Sequence, residues 1–247
     1  MDARPARGAG VSTPVMGTPV ERQRLSAKET MKQFVHAALD PVVRVLAGVG
    51  LRPDHLTWFG LVVSVSAGVA FALGSFRIGA ALACLAGLCD ILDGQIARAS
   101  GTVSRFGAFL DSTLDRVAEA CLLLGIAGYF VIQLVDMTMN PERVAANLSH
   151  GLEPITYAVI GFLAMLALIG SFMVSYTRAR AEGLGLECRV GWFERPERLI
   201  LLIIAGFAGI GPVMPWALLL LVALSFATAF QRMAHVWKHT RGAGRDT

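Results

Sequence analysis

"CDILDGQIARASGTVSRFGAFLDSTLDR", residues 89–116, decides the fold, because it sets four aspartates between two long apolar runs. Asp90 and Asp93 are three residues apart, and Asp111 and Asp115 are four apart. In a helix both spacings put the carboxylates on one face, a single turn or about 5–6 Å apart. The turn region 94–104 between the pairs holds Gly94, Ser100 and Gly101, so two helices can run antiparallel with their aspartate faces opposed. Four carboxylates are thereby expected to converge near the same end of two adjacent helices.

The rest of the chain says what surrounds those helices. Of 247 residues, 55% are hydrophobic and 16% charged, and the mean hydropathy is +0.59. This composition argues for a polytopic membrane protein. Several windows exceed the ~18 apolar residues that span a bilayer as a helix. Six spans are expected near 55–74, 77–99, 104–135, 154–182, 196–213 and 215–237. Before them, Met31, Phe34, Val35, Ala38, Leu39, Val42, Val43 and Leu46 recur at helical spacing among Lys28, Lys32, His36 and Arg44. That pattern suits an amphipathic helix lying at the membrane interface, although a core-facing helix would show it too. Residues 1–26, rich in Arg, Gly, Pro, Ser and Thr, are read as a disordered tail, and residues 239–247 as a short basic one.

Charge sets the topology. The N-terminal basics, Arg98, Arg105, Arg178, Arg180, Arg189, Arg195, Arg198, Arg232, Lys238 and Arg241 fall on one side of the six spans. "GSFRIG", the acidic-leaning 136–153 loop and "GIGPVMP" fall on the other. Positive-inside counting places both termini and the aspartate end in the cytoplasm, and an even number of spans agrees in putting the two termini on one side. The net charge of +4 and pI near 9.1 follow from that bias, and no nucleic-acid partner is expected. Cys84, Cys89, Cys121 and Cys188 lack metal or disulfide spacing and read as packing residues. "NLS" at 147–149 is a lone sequon and weak evidence of glycosylation.

The aspartates demand compensation. An Asp at mid-helix in a membrane costs roughly 2.5–3.5 kcal/mol even on the lenient insertion scale. Four neighbouring anions do not remain ionised together: some are protonated, or cations neutralise them. Hard oxygen ligands favour Mg2+, Mn2+ or Ca2+, and four of them suit a two-metal site that clamps a phosphate chain. Gly94, Ala97, Gly101 and Gly107 remove bulk beside the carboxylates, which admits a polar ligand or, equally, close helix packing. A transporter is the rival class, with the aspartates as a cation or proton path. It would spread them through the membrane depth rather than bunch them at one end. A non-catalytic lipid-binding scaffold would not need all four.

"DILDGQIARASGTVSRFGAFLDSTLD" carries in full the pattern D-x2-D-G-x2-A-R-x8-G-x3-D-x3-D. By it, and by the six-span layout over about residues 27–238, the chain resembles the CDP-alcohol phosphotransferases, also called CDP-alcohol phosphatidyltransferases. The resemblance implies an integral-membrane enzyme that moves a phosphatidyl group from CDP-diacylglycerol to an alcohol and releases CMP. It implies Asp90, Asp93, Asp111 and Asp115 as ligands of two Mg2+ ions, with Mn2+ also suitable, and Asp115 as general base. It further implies that Thr57, Asp93, Gly94, Ala97, Arg98 and Gly107 line the CDP-lipid site, and that the protein is a homodimer in the cell membrane. The family's Asn-x-x-Thr element reads "RPDHLT" here, with Asp54 in place of Asn.

"SYTRARAEGLGLECRVGWFERPERLI", residues 175–200, and "QRMAHVW", residues 231–237, bear on the alcohol. Arginine forks suit phosphate, though any cytoplasmic arginine also serves topology and lipid headgroups. In wording these stretches resemble the phosphatidylinositol-phosphate synthase branch of actinobacteria and its archaeal counterpart. That implies inositol phosphate as acceptor, its phosphate held by Ser175, Arg178, Arg180, Arg195 and Arg232. Phosphatidylglycerol-phosphate synthases, which use glycerol 3-phosphate, are the alternative; they more often end the signature in "ADK" where this chain has "LDR".

Overall fold

A computed structural model describes residues 37–46, 48, 53–140, 142, 153–210 and 213–243. The 1–26 tail, the start of the amphipathic segment, the sequon and the last residues of the basic tail lie outside them. Seven helices and no strand occur among the described residues. A short α1 covers 37–46, followed by α2 (Pro53–Ala72), α3 (Phe76–Ala99) and α4 (Arg105–Met139). Then come α5 (Pro154–Gly183), α6 (Arg195–Ala208) and α7 (Val213–Ala243).

The expected all-helical architecture is present, with helices near all six expected spans. Four of them, α2, α4, α5 and α7, are long and apolar enough to cross a membrane. The other two fall short for separate reasons. α3 carries Arg77, Asp90, Asp93 and Arg98. α6 has 14 residues, about 21 Å of helix at 1.5 Å per residue, against a hydrocarbon core of roughly 30 Å. It stops at Ala208 because Gly209 takes φ +89, a left-handed conformation that ends the hydrogen-bond ladder.

Packing closes α2–α7 into a ring: α3 meets α2, α2 meets α4, α4 meets α5, α5 meets α7, α7 meets α6, and α6 returns to α3. The α2–α4 contact is the tightest, since a Cβ at Gly68 would run into the Cys121 carbonyl and one at Gly125 into that of Gly68. Here small residues let two backbones touch, the device that replaces hydrophobic driving force in lipid. α3 and α4 share little direct packing; α2 lies between them. The expected face-to-face pair is therefore a cleft with α2 as its wall. The expected turn over 94–104 narrows to 100–104, because α3 stays helical through Ala99.

The two ends of the ring differ in chemistry. At one end Phe71, Phe76, Tyr129, Phe130 and Tyr157 stack, mostly edge to face, with centroids 5.1–6.3 Å apart. They seal it with an apolar plug. The other end gathers the N-termini of α2, α4 and α6 with the C-termini of α3, α5 and α7, and it holds the polar side chains. α1 lies against this end, with Val43 buried on Leu92 and Ile96, and Leu39 and Leu46 beside it. The i, i+4, i+7 seam is the apolar stripe that the sequence pattern implied, while Val42 and Val45 face outward.

Candidate active site

The cleft is built from the ends of α2, α3, α4 and α6. Asp90, Asp93 and Asp111 offer carboxylate oxygens within 4.8 Å of one another. Asp93 is buried, and Thr57 in the first turns of α2 donates from Oγ1 to its Oδ2 at 2.8 Å. That contact ties the α2 N-terminus to α3. Asp111 Oδ1 is buried and has no hydrogen-bond partner. A buried carboxylate oxygen without a donor, facing two other carboxylates, calls for a cation. Oxygens bound to one Mg2+ at ~2.0–2.1 Å can be up to about 4.2 Å apart, so small adjustments would let these three residues share an ion. The donor set fits a hard divalent metal.

Asp115 stands one turn further along α4 and is engaged differently. Its Oδ2 lies 2.7 Å from Arg195 Nη1 in an ion pair, and the same Nη1 donates to Asp90 Oδ2 at 2.9 Å. Arg195 is the first residue of α6, so this helix N-terminus delivers a cation into the cleft between α3 and α4. The surrounding crevice is lined by Leu56, Gly60, Ser64, Ala86, Leu114 and Ala118 besides the polar groups. Small side chains leave that space open.

The remaining expected CDP-lipid residues sit at the cleft rim. Arg98 is exposed in the last turn of α3 and its guanidinium lies over Gly94, where a Cβ would come within 3.8 Å of it. Ala97 is half-buried beside them. Ser104 caps α4, its hydroxyl accepting from the Gly107 N–H at 2.9 Å. A Cβ at Gly107 would stand 3.0 Å from that hydroxyl, so the missing side chain also protects the cap. Asp54 is exposed in the first turn of α2.

The expected acceptor residues divide into two groups. Arg195 alone reaches the carboxylates. Arg178 pairs with Glu182 at 2.9 Å and lies 3.6 Å from Glu194. Arg232 is fully buried: Nε donates to the Val190 carbonyl at 2.8 Å and Nη1 to that of Val174 at 2.6 Å, and Nη2 lies 3.4 Å from Glu194. Its bonds clamp the 186–194 loop onto α5 and α7. Ser175 is half-buried and Arg180 exposed on the final turns of α5. Glu194, which the sequence reading passed over, joins Arg178 and Arg232. It also caps α6 in a reciprocal box with Glu197.

A second charged group lies below the cleft, where Glu119, which the sequence left open between supporting Asp115 and facing a partner, pairs with Arg198. Glu119 is buried and receives Arg198 Nε at 2.6 Å, Arg198 Nη2 at 2.8 Å and Ser171 Oγ at 2.9 Å. The signal was present: Glu119 is four residues after Asp115 and Arg198 three after Arg195, so each pair shares a helix face.

A helical membrane-embedded protein with clustered carboxylates and an arginine at one end of its bundle is the class that fold and site define. Residues 51–238 match the family model of the CDP-alcohol phosphatidyltransferases, and the chain belongs to that family of transferase enzymes. It is 36% identical over 215 residues to an archaetidylinositol phosphate synthase of Methanothermobacter thermautotrophicus, covering 85% of this chain and 94% of the relative. It is 32% identical over 204 residues to a phosphatidylinositol phosphate synthase of Mycobacterium tuberculosis, covering 80% and 84%. The crystal structure of the Mycobacterium tuberculosis synthase with CDP-DAG bound superposes with a TM-score of 0.66 at 30% identity, covering 80% of this chain and 92% of that one. The same synthase in complex with manganese and citrate gives a TM-score of 0.65, covering 80% and 88%.

Proposed function

We propose that this chain transfers the phosphatidyl group of CDP-diacylglycerol to inositol phosphate, giving phosphatidylinositol phosphate and CMP. The observation that carries the reading is Arg195, which reaches from α6 to both Asp90 and Asp115 at the carboxylate cluster. A phosphate-seeking side chain there can hold a phosphorylated alcohol beside the group that activates its hydroxyl. The relatives' names and the CDP-DAG complex support the substrate classes.

In this mechanism Asp90, Asp93 and Asp111 hold divalent metal, with Asp115 completing a two-Mg2+ site; the manganese complex of the relative supports the metal class. Bound there, the metal offsets charge on the pyrophosphate as it develops. Arg98 and the rim formed by Gly94, Ala97 and Gly107 receive the CDP moiety, and Thr57 keeps Asp93 oriented. The acceptor hydroxyl oxygen attacks the phosphatidyl phosphorus, and the bond from that phosphorus to the bridging oxygen breaks. CMP leaves with the electron pair, and Asp115 Oδ2 takes the hydroxyl proton. Arg195 presents five N–H donors in a fork; Nη1 spans Asp90 and Asp115 in the unliganded cleft, and the guanidinium turns to the acceptor phosphate when that substrate binds. Arg178 and Arg180 extend the basic field on the acceptor side, and Ser175 adds a neutral hydroxyl donor. Arg232 acts through the loop it clamps.

Six spans in the cell membrane, both termini and the cleft on the cytoplasmic side, and a homodimer complete the proposal. Assaying CMP release from CDP-diacylglycerol with Mg2+ against inositol phosphate, glycerol 3-phosphate, inositol and serine tests it. Turnover with inositol phosphate above the other three is expected. Preference for glycerol 3-phosphate would move the chain to the phosphatidylglycerol-phosphate branch, and no CMP release with any acceptor would refute the transferase reading.

A further inference from the structure

α4 and α6 meet through two rungs of charge. On α4, Asp115 and Glu119 share a face; on α6, Arg195 and Arg198 do. The outer rung is Arg195 with Asp115 and Asp90, whose side chains retain 25%, 21% and 33% of their exposure. The inner rung, Arg198 with Glu119, retains 1% and 9%. It is bidentate, with Nε to Oε1 and Nη2 to Oε2, and α5 adds the Ser171 hydroxyl to Oε1. Arg198 Nη1 also reaches the Phe193 carbonyl at 3.5 Å, at the end of the loop that leads into α6.

The rungs face different demands. Substrate phosphate and metal compete for Arg195 and Asp115, so the outer rung has to open during turnover. The inner rung is buried, and its donors already point at carboxylate and carbonyl oxygens, so it has no donor left over for a substrate phosphate. α4 and α6 share little direct packing. α6 is seated on α3 and α7, and its link across to α4 is made through side chains. A bidentate guanidinium–carboxylate pair fixes rotation as well as distance, which a lysine could not do.

From this geometry we propose that Glu119 and Arg198 are positioning residues: the inner rung holds α6 in register with α4, so that Arg195 stays opposite Asp115 when the outer rung opens. The proposal rests on the functional reading above for the role of Arg195, and on the structure alone for the pin.

The test compares Arg198→Lys with Arg195→Ala in purified full-length enzyme. It reads KM for each substrate, kcat, and thermal stabilisation by CDP-diacylglycerol. Arg198→Lys is expected to raise the acceptor KM on the order of tenfold, as loss of an outer support does, with CDP-lipid stabilisation unchanged. It should follow Arg195→Ala in whichever parameter that variant moves, and the two effects should not add in the double variant. Additive effects, or a shift in a parameter that Arg195→Ala leaves alone, would overturn the pin. If Arg195→Ala shows no acceptor selectivity, the functional reading of Arg195 fails, and the pin is scored on whether Arg198→Lys still follows it.

The double variant Glu119→Leu/Arg198→Met guards against a mere folding defect, because apolar replacement of a buried pair commonly preserves the fold. It should keep CDP-lipid stabilisation and lose acceptor affinity. Unchanged acceptor kinetics would overturn the proposal. So would loss of CDP-lipid stabilisation in both Arg198→Lys and the double variant, since the pair would then hold the whole bundle rather than α6.

Discussion

Asp115 and Thr57 show how one side chain's partners assign it a task. Asp115 is the carboxylate of the four that lies outside the three-oxygen cluster, which leaves it available to an acceptor hydroxyl once Arg195 turns to phosphate. Asp115→Asn keeps the size and the polar contact but removes the base. Turnover should fall by about 10²- to 10⁴-fold, the usual worth of general base catalysis, while CDP-diacylglycerol still stabilises the protein thermally. Turnover within a few fold of wild type would remove Asp115 from the base role. Thr57 acts one step further out, since its hydroxyl aims Asp93 Oδ2. Thr57→Val should raise the Mg2+ concentration for half-maximal CMP release by about tenfold, the lower end of the effect of losing a support to a metal ligand. Excess Mg2+ should restore the rate. An unchanged Mg2+ dependence would mean that the hydrogen bond serves α2–α3 packing alone.

At the scale of elements, the loop 186–194 and the α6 N-terminus decide where Arg195 goes. Gly191 takes φ +120, a conformation L side chains rarely adopt, and a Cβ there would lie 2.6 Å from Thr228 Cγ2. Gly191→Ala should therefore destabilise the protein by about 1–3 kcal/mol, the range for a residue forced into sparse backbone space. It should also raise the acceptor KM by shifting Arg195, both readable from thermal unfolding in detergent and initial rates. A variant with wild-type unfolding and kinetics would show that the loop tolerates displacement. The same loop marks where the sequence stopped being legible. Helices and aspartate faces were readable because 3.6-residue periodicity and one-turn carboxylate spacing are local. The cleft between α3 and α4 was not, because Gly68 and Gly125 bring α2 and α4 together from 57 residues apart in sequence. Nor were the partners of Glu119 or Arg232: a buried arginine and one facing phosphate look alike until the fold shows which carbonyls surround it.

At the scale of the whole molecule, the ring has a charged end and an aromatic end, and topology follows from which lies inside. Arg98, Arg105, Arg178, Arg180, Arg189 and Arg195 cluster at the carboxylate end, whereas Phe71, Phe76, Tyr129, Phe130 and Tyr157 close the other beside Arg77. Cationic loops stay in the cytoplasm during insertion, so the cleft should open there and Asn140, at the far end of α4, should lie outside. The short α6 does not upset this, because its N-terminus joins the carboxylate end and the chain re-enters that end through α7. In a background with Cys84, Cys89, Cys121 and Cys188 replaced, Asn140→Cys should react with a membrane-impermeant maleimide in intact cells. Val103→Cys and Leu184→Cys, both exposed beside the cleft, should react only after permeabilisation. Labelling of Val103→Cys and Leu184→Cys in intact cells would invert the protein and place the carboxylates outside the cell. Labelling of only one of the two would break the six-span count between α4 and α5. The cytoplasmic result, with Asn140→Cys reactive from outside, is the one that the charge of the two ends requires.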